Sequence, residues 1–293
     1  VPDPDLGAHL FAGERLNNGQ IHHSYKNWMD LAEYLDCRFL TPRPVEKGGI
    51  LLRFQLLDPN GSWNEELTDN KYGAESTFGR INKLEEPAFL MDYLDCLRRV
   101  NLRENARILN LGINQGHEFQ AFFHLFDADQ IRSFRFTGLD LSPSAIQLAR
   151  SRFPQSNFQF LTGDINNLAD LQLGEFDLVI SIGTLQSPDI DLHQTLRQLV
   201  RFHIRDQASA IFGFPNCRYV EGEIKYGARV KNYSEPELSL LIRDISFYKR
   251  YLQQHKFRVV VTGKYYLFVT GLSIPENPLQ GGDSGKRNNA TEK

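Results

Sequence analysis

The sequence has few cysteines, the residues that form disulfides and paired-cysteine metal sites. Three cysteines, Cys37, Cys96 and Cys217, lie far apart among 293 residues and are an odd number. A disulfide-rich secreted scaffold and a paired-cysteine zinc site both need closer or paired cysteines. The adjacent pair His22 and His23 has no third ligand nearby in the sequence, so we predict no metal site. We therefore expect reduced thiols and a cytoplasmic protein.

Long apolar runs and a large excess of charge are also absent. No stretch approaches the roughly 20 apolar residues that cross a bilayer, and residues 1–5 lack the basic-then-apolar order of a secretory signal. The 33 basic side chains nearly balance 36 acidic ones, and the formal net charge is -3. No overall basic field is therefore available to attract a phosphate backbone. These absences predict a protein with no membrane partner and leave nucleic-acid binding to a local patch.

Two kinds of apolar pattern divide the chain, whose length accommodates one large domain with an extension. Residues 1–86 combine a helical stretch at 25–35 with a strand at 49–57, which an Asp-Pro-Asn-Gly turn ends. From Pro87, apolar residues recur every three or four positions and predict an amphipathic helix leading to Asn105. We expect residues 1–86 to form an α+β extension in front of the main domain.

From residue 106 onward, short apolar strands alternate with helical intervals. Parallel strands need crossovers of about a dozen residues, so this alternation predicts an α/β fold with a Rossmann-like, doubly wound and mostly parallel sheet. At the end, a helix at 235–255 precedes two apolar runs that only three residues separate, which permits a hairpin and no crossover. We place the main domain at 87–274 and expect the polar residues 275–293 to be a disordered tail. The predicted strands are 106–111, 134–139, 158–162, 176–182 and 209–214, followed by the hairpin strands 257–261 and 265–269.

The first strand of this region ends in a turn that contains Gly112 and Gly116. Glycines at a strand-to-helix turn let a ligand approach the backbone, and the crevice of such a sheet lies beyond the carboxyl ends of its strands. A dinucleotide fingerprint would also need glycines at the third and sixth positions counted from Gly112, where Asn114 and His117 stand. The turn therefore predicts a nucleotide-like ligand and disfavours a nicotinamide cofactor.

Acidic and small residues follow the next strands. Asp140 stands at the distance from the glycine turn where a carboxylate would accept hydrogen bonds from ribose hydroxyls. A helix cap is the competing interpretation, but Ser142 followed by proline supplies a better cap. Asp164 suits an exocyclic amine, with capping of the following turn as its alternative. Ser181 and Gly183 give the fourth strand a small-residue end, which suits a ligand above it or a simple turn.

These features together resemble the class I S-adenosylmethionine-dependent methyltransferases, whose pattern runs from an acidic residue and a glycine loop to acidic ends on the next two strands. The resemblance covers about 107–272 and departs from the family at Asn110, where an acidic residue is usual, and at Asn114, where the middle glycine is usual. It implies S-adenosylmethionine as cofactor and an antiparallel last strand, here 265–271, inserted between its neighbours. The residues it implies for cofactor binding are Asn110, Gly112, Ile113, Asn114, Gln115, Gly116, Asp140, Leu141, Asp164, Ile165, Ser181, Gly183 and Arg80.

The resemblance implies methyl transfer, but the sequence singles out no catalytic residue. Arg80 precedes the first domain helix and suits the methionine carboxylate of the cofactor, with a solvated surface charge as the equal alternative. Cys217 follows Asn216 and lacks the Pro-Cys pair of cytosine-C5 enzymes, so a nucleophilic cysteine is not expected. Residues 181–184 read Ser-Ile-Gly-Thr where adenine-N6 enzymes carry Asp/Asn-Pro-Pro-aromatic. That nucleic-acid specialisation is therefore not predicted.

The methyl acceptor stays open at this point. We favour a small molecule over nucleic acid, with residues 1–86 as a lid over the acceptor site. One alternative is methylation of RNA or protein, with basic residues such as Arg53, Arg98 and Arg99 contacting the phosphates of an RNA. The other is a non-catalytic module that keeps the fold, which the asparagines of the glycine turn suggest. The sequence assigns neither the acceptor nor the oligomeric state.

Overall fold

The computed structural model describes residues 13–35, 37–46, 48–56, 82–185, 187, 189–216 and 239–274. Arg80, Cys217 and the predicted tail at 275–293 lie outside these residues. Among the helices that are described, none has the length and apolar character needed to cross a bilayer.

The amino-terminal part contains helix α1 (Tyr25–Tyr34) and an antiparallel pair, β1 (Cys37–Val45) and β2 (Gly49–Leu56). Rings from all three elements pack together, since Tyr25 lies 5.1 Å from Phe39, which lies 5.3 Å from Phe54, between ring centroids. The predicted helix and the strand at 49–57 are present as α1 and β2. Strand β1 is an addition, because its two prolines argue against a strand in the sequence. Its pairing with β2 shifts register between Leu40 and Arg43, beside the first proline.

The main domain is built from seven strands and the helices between them. The strands are β3 (Arg107–Leu111), β4 (Arg135–Asp140), β5 (Phe158–Thr162), β6 (Phe176–Ile182), β7 (Ile204–Pro215), β8 (Phe257–Gly263) and β9 (Tyr266–Ser273). The helices are α2 (Pro87–Arg99), α3 (His117–Gln120), α4 (Ala128–Ser133), α5 (Pro143–Arg152), α6 (Leu192–Gln198) and α7 (Ser239–Gln254). Short 3-10 helices are found at Lys83–Glu85, Ala121–His124 and Ile165–Leu171, and a π-helical turn at Leu199–His203.

These strands form one sheet in the order β5-β4-β3-β6-β7-β9-β8. The first five pair in parallel, whereas β9 runs antiparallel to both β7 and β8. The mostly parallel sheet with an antiparallel final strand between its neighbours is therefore confirmed. The order reverses at β3, so the crevice at its carboxyl end, next to β4 and β6, is where such sheets bind ligands.

The two largest errors in the predicted boundaries are at the end of α2 and at the beginning of β7. Helix α2 ends at Arg99 and does not lead to Asn105, because Val100 leaves the helix with ψ 127° and Asn105 takes a left-handed φ of 62°. Strand β7 begins at Ile204, earlier than the predicted residue 209. The polar residues between these positions conceal the strand, and Gln207, with φ 64°, lies where the pairing with β6 shifts register.

The sheet is covered on both faces by apolar layers. Neighbouring residues of a strand point to opposite faces, so Ile108 joins the layer that contains Phe89 and Tyr93, whereas Leu109 joins the layer that contains Leu196 and Tyr248. Burial on both faces explains why the central strands read as continuous apolar runs. The same burial fixes the positions of the strand ends, and with them the polar residues that follow the strands.

Candidate functional site

The loop between β3 and α3 has a backbone that few side chains tolerate. Gly112 and Gly116 have φ of 71° and 87°, and Asn114 has 48°. A Cβ on Gly112 would overlap the side chain of Thr184 at the end of β6, and one on Gly116 would lie 2.7 Å from the ring of Phe153. Both glycines are therefore required for packing as well as for conformation. Apart from glycine, asparagine is among the residue types that best tolerate this conformation.

Asp140, at the end of β4, holds this loop in place. One carboxylate oxygen accepts the backbone N–H of Asn114 at 2.8 Å, and the other accepts that of Ser142 at 2.9 Å. Burial raises the pKa of Asp140, and the N–H groups of Ser142, Asn114 and Leu141 act in the opposite direction. Ser142 caps α5 by accepting the N–H of Ala145, as predicted. Each carboxylate oxygen has capacity for a further hydrogen bond, so the predicted ribose role is compatible with this geometry.

Asp164 and Ser181 take structural positions at the ends of β5 and β6. The Asp164 carboxylate accepts the N–H of Asn166 at 2.8 Å and so caps the 3-10 helix that follows, which is the alternative considered from the sequence. The Ser181 hydroxyl donates to the carbonyl of Leu111 at 3.2 Å and is buried between the two strands. These hydrogen bonds connect the strand ends to the neighbouring backbone. The cofactor contacts of both residues stay predictions.

The other predicted residues surround these strand ends. Ile113 and Ile165 are buried in the layers on opposite faces of the sheet. Leu141 is 61% exposed directly after Asp140. Gln115 is half-buried in the glycine loop. The structure therefore brings the described predicted residues to one edge of the sheet.

Asn110 is fully buried near the end of β3, and neither its amide nitrogen nor its side-chain oxygen has a hydrogen-bond partner within the described part of the chain. The side-chain oxygen of Asn114 is in the same state. An unpaired buried amide costs about 1–3 kcal/mol, so such groups are rare without a reason. These are the two positions at which the sequence departs from the family pattern. They place unused polar groups beside the loop, where a ligand with an amine or carboxylate would use them.

The sequence did not single out Lys83, which reaches the end of β6 from the segment before α2. Its ammonium lies 3.4 Å from the carbonyl oxygen of Ile182, 3.9 Å from the Glu118 carboxylate and 5.4 Å from the centroid of the Tyr266 ring. A Cβ on Gly183 would lie 3.2 Å from this ammonium, so the small residue there leaves room for it. A lone lysine carries no motif, which is why only the fold could identify this one.

Lys83 and Glu118 form a largely buried pair of opposite charges. Burial acts to lower the pKa of Lys83, but Tyr266, Glu118 and Glu86 together raise it above its usual value. Burial raises the pKa of Glu118, and the charge of Lys83 acts in the opposite direction. The Tyr93 hydroxyl donates to the backbone carbonyl of Glu118 at 3.4 Å. The lysine is therefore a fixed cation beside the glycine loop.

His117, the first residue of α3, is a neutral side chain at pH 7. Burial lowers its pKa to about 4, with further lowering from the charges of Arg152 and Lys83. Burial also lowers the pKa of Arg152, while Glu118 acts in the opposite direction. The histidine therefore adds no charge to this edge of the sheet.

The region that contains this edge of the sheet is similar to known proteins. Residues 108–203 match a family described as a methyltransferase domain. A malonyl-[acyl-carrier protein] O-methyltransferase from Acetivibrio thermocellus is 31% identical over 137 residues, which cover 47% of this chain and 44% of that protein. The chain thus spans less than half the length of this relative.

A solved structure gives the same fold over a larger part of the chain. It belongs to a complex between the Haloferax volcanii Trm112 methyltransferase activator and a methyltransferase, and it aligns with a TM-score of 0.50 at 16% identity. The alignment covers 70% of this chain and 99% of that one. The matched segment 108–203 contains the glycine loop, Asp140 and the end of β6. The chain therefore contains a region that matches the methyltransferase-domain family, within a domain that has the fold of this solved structure.

Proposed function

We propose that this protein transfers a methyl group from S-adenosylmethionine to a small acid as acceptor. The observation that carries the proposal is the polar end of β3, where Asn110 is buried with both amide atoms unused beside a glycine loop fixed by Asp140. A buried amide without a hydrogen-bond partner destabilises the folded protein, unless a bound ligand supplies the missing hydrogen bonds. The residues present therefore fit an amino-acid-like ligand with a nucleoside attached.

The cofactor contacts follow from the predicted residues and from Lys83. Asn110 and the backbone of the glycine loop would hold the methionine ammonium and carboxylate, with the Lys83 ammonium as the cation that Arg80 was expected to supply. The free lone pairs of Asp140 would accept the ribose hydroxyls, and Asp164 would accept the exocyclic amine of adenine. The remaining contacts would come from Ile113, Gln115, Leu141, Ile165, Ser181 and Gly183.

When bound, S-adenosylmethionine supplies a methyl carbon that is already electrophilic, so the protein has mainly to align the acceptor and exclude water. Lys83 and Asp140 would fix the two ends of the cofactor. His117 is neutral because of its low pKa and would add no charge to repel the sulfonium. The proposed lid, residues 1–86, would close over the acceptor.

A carboxylate is the acceptor group that needs the least catalytic assistance from this site. It is ionised at neutral pH, so its oxygen attacks without a protein base. The relative from Acetivibrio thermocellus carries a name that states O-methylation of a malonyl group on a carrier protein, which supports the same kind of acceptor. S-adenosylmethionine, held by Asn110, Asp140 and Lys83, would supply the methyl group of the ester, and S-adenosylhomocysteine would leave with the electron pair of the carbon–sulfur bond.

Calorimetric titration with S-adenosylhomocysteine, with NAD as the comparison ligand, tests the proposal. We expect micromolar affinity for the first, corresponding to roughly -8 kcal/mol, and none for NAD. A loaded protein should then form a methyl ester on malonyl thioesters, detected by mass spectrometry. If S-adenosylhomocysteine binds but no acid is methylated, the proposed cofactor stands and the proposed class of acceptor is rejected. No binding would reject both and favour the non-catalytic module.

A further inference from the structure

A cavity of about 430 Å³ opens between α6 and α7, and none of the residues that line it belongs to the candidate site. One wall is His193 from α6, and the other is a single stripe of α7 that includes Arg243, Phe247, Arg250 and Tyr251. These α7 residues recur at intervals of three and four, so they share one face of the helix. The volume lies within the range of sites for small ligands. We call this space the α6–α7 cavity.

Aromatic rings form the apolar part of the α6–α7 cavity. The ring of His193 contacts that of Phe247 at 4.0 Å between centroids, and Phe247 stacks on Tyr251 at 5.8 Å. Tyr251 continues the row to His255 at 4.4 Å. Phe247 and Tyr251 are only partly covered by the rest of the protein. A row of partly exposed rings is a surface on which a planar ligand stacks.

Two guanidinium groups give the same cavity a positive charge. Arg243 is 61% exposed, and its nitrogen lies 3.6 Å from the carboxylate of the adjacent residue Asp244. Arg250 has no ion pair within the residues that the structure describes, and the cavity lining contains no acidic side chain. Ser246 and Gln254 complete the lining as uncharged hydrogen-bonding groups. The α6–α7 cavity therefore suits an anion that also carries an aromatic ring.

We propose that the α6–α7 cavity binds a free mononucleotide, with its base against Phe247 and Tyr251 and its phosphate on Arg243 and Arg250. Arginine recognises phosphate through paired donors, and aromatic faces accept any base. An acidic peptide would engage the arginines but leave the rings unused, and a volume of about 430 Å³ fits one nucleotide better than a strand. This site goes beyond methyl transfer and does not rest on it, because it shares no residue with the strand ends.

Titration with uridine 5′-monophosphate tests the proposal in the full chain saturated with S-adenosylhomocysteine. Uridine is chosen because the cofactor site is expected to accept adenine. We expect saturable binding at one site, with uridine and inorganic phosphate each binding at least about tenfold more weakly. Arg250→Gln should weaken binding about tenfold, since a charge-assisted hydrogen bond is lost. Phe247→Leu should weaken it about fivefold or more, because stacking is lost.

Lys249→Gln is the matched control, since Lys249 is exposed on the same helix but does not line the cavity. We expect less than a twofold change for this variant. An equal loss in Lys249→Gln, or phosphate binding as tightly as the nucleotide, would reduce the site to general charge and overturn the proposal. The proposal would also be overturned if the protein bound an RNA of about six nucleotides but did not bind the mononucleotide. Nucleotide binding in a protein that fails to bind S-adenosylhomocysteine would leave this site standing and reject only the proposed function.

Discussion

Gly112 has two separate reasons to be glycine, and a substitution can distinguish them. Its φ of 71° costs an alanine about 1–2 kcal/mol, and the added Cβ would also overlap Thr184. Overpacking of this kind adds about 1–3 kcal/mol. We expect Gly112→Ala to lower the free energy of unfolding by about 2–4 kcal/mol and to abolish S-adenosylhomocysteine binding. Denaturant unfolding and calorimetry measure the two effects.

Gly174 provides the control for this variant. It has a similar φ of 74°, but the nearest atoms to an added Cβ are guanidinium nitrogens of Arg107 at 3.4 Å, an ordinary contact. Gly174→Ala should therefore cost only the conformational part, about 1–2 kcal/mol, and leave the affinity for the cofactor unchanged. Equal losses in the two variants would show that the overlap with Thr184 relaxes and that the loop tolerates a side chain.

His117 predicts a pH dependence of stability. Because burial lowers its pKa to about 4 in the folded protein, the unfolded chain binds this proton more readily below its usual value of 6.5. The contribution is therefore present above pH 6.5 and is lost as the pH falls towards 4. After allowance for partial exposure, we expect the native protein to lose about 1–2 kcal/mol more than His117→Gln between pH 7.5 and pH 4.5. Urea unfolding of both proteins at the two pH values measures this difference, and parallel losses would contradict it.

The chemistry of single residues was only partly readable from the sequence. The spacing of Asp140 from Gly112 predicted that both lie at one edge of the sheet, since parallel strands end together. The sequence could not show that both carboxylate oxygens of Asp140 accept backbone N–H groups, because that depends on the left-handed turn at Asn114. For the same reason the buried, unpaired state of Asn110 became visible only in the fold.

At the scale of elements, the 3-10 helix Lys83–Glu85 joins the segment before α2 to the end of β6. Asn82 caps it by accepting the N–H of Leu84, whose side chain is buried, and this anchoring directs Lys83 towards Glu118. We expect Lys83→Met to weaken S-adenosylhomocysteine binding about tenfold. It should also cost about 1–3 kcal/mol of stability, because Glu118 loses its counter-charge.

A second substitution separates these two effects of Lys83. In Lys83→Met/Glu118→Gln, the unpaired carboxylate is removed, so stability should recover while the affinity stays low. Recovery of the affinity as well would show that Lys83 only neutralises Glu118 and does not contact the cofactor. Lys26→Met is the control, since that lysine is 83% exposed and pairs with Asp30 on α1. Calorimetry and denaturant unfolding of the variants give both quantities.

The sequence predicted most elements of the main domain because apolar periodicity is strong where burial is complete. Strands β5 and β6 were predicted with their observed bounds, because apolar residues make up most of each strand. The beginning of β7 was missed because a register shift there allows polar residues into a strand. Strand β1 was missed because its prolines obscure a two-stranded edge pair. Both errors come from irregular pairing, which periodicity does not report.

The order of strands in the whole sheet carries the last prediction. Only the reversal of order at β3 brings the glycine loop, Asp140 and Lys83 to one crevice, so a ligand there binds the folded domain and not the unfolded chain. S-adenosylhomocysteine at 100 times its Kd should stabilise the domain by about 2.7 kcal/mol, a rise in Tm of about 5–10 °C. NAD at the same concentration should produce no shift, because Asn114 and His117 replace the glycines that its pyrophosphate needs. Differential scanning calorimetry with each ligand decides the matter, since equal shifts would place a dinucleotide in this crevice and reject the assignment of the cofactor.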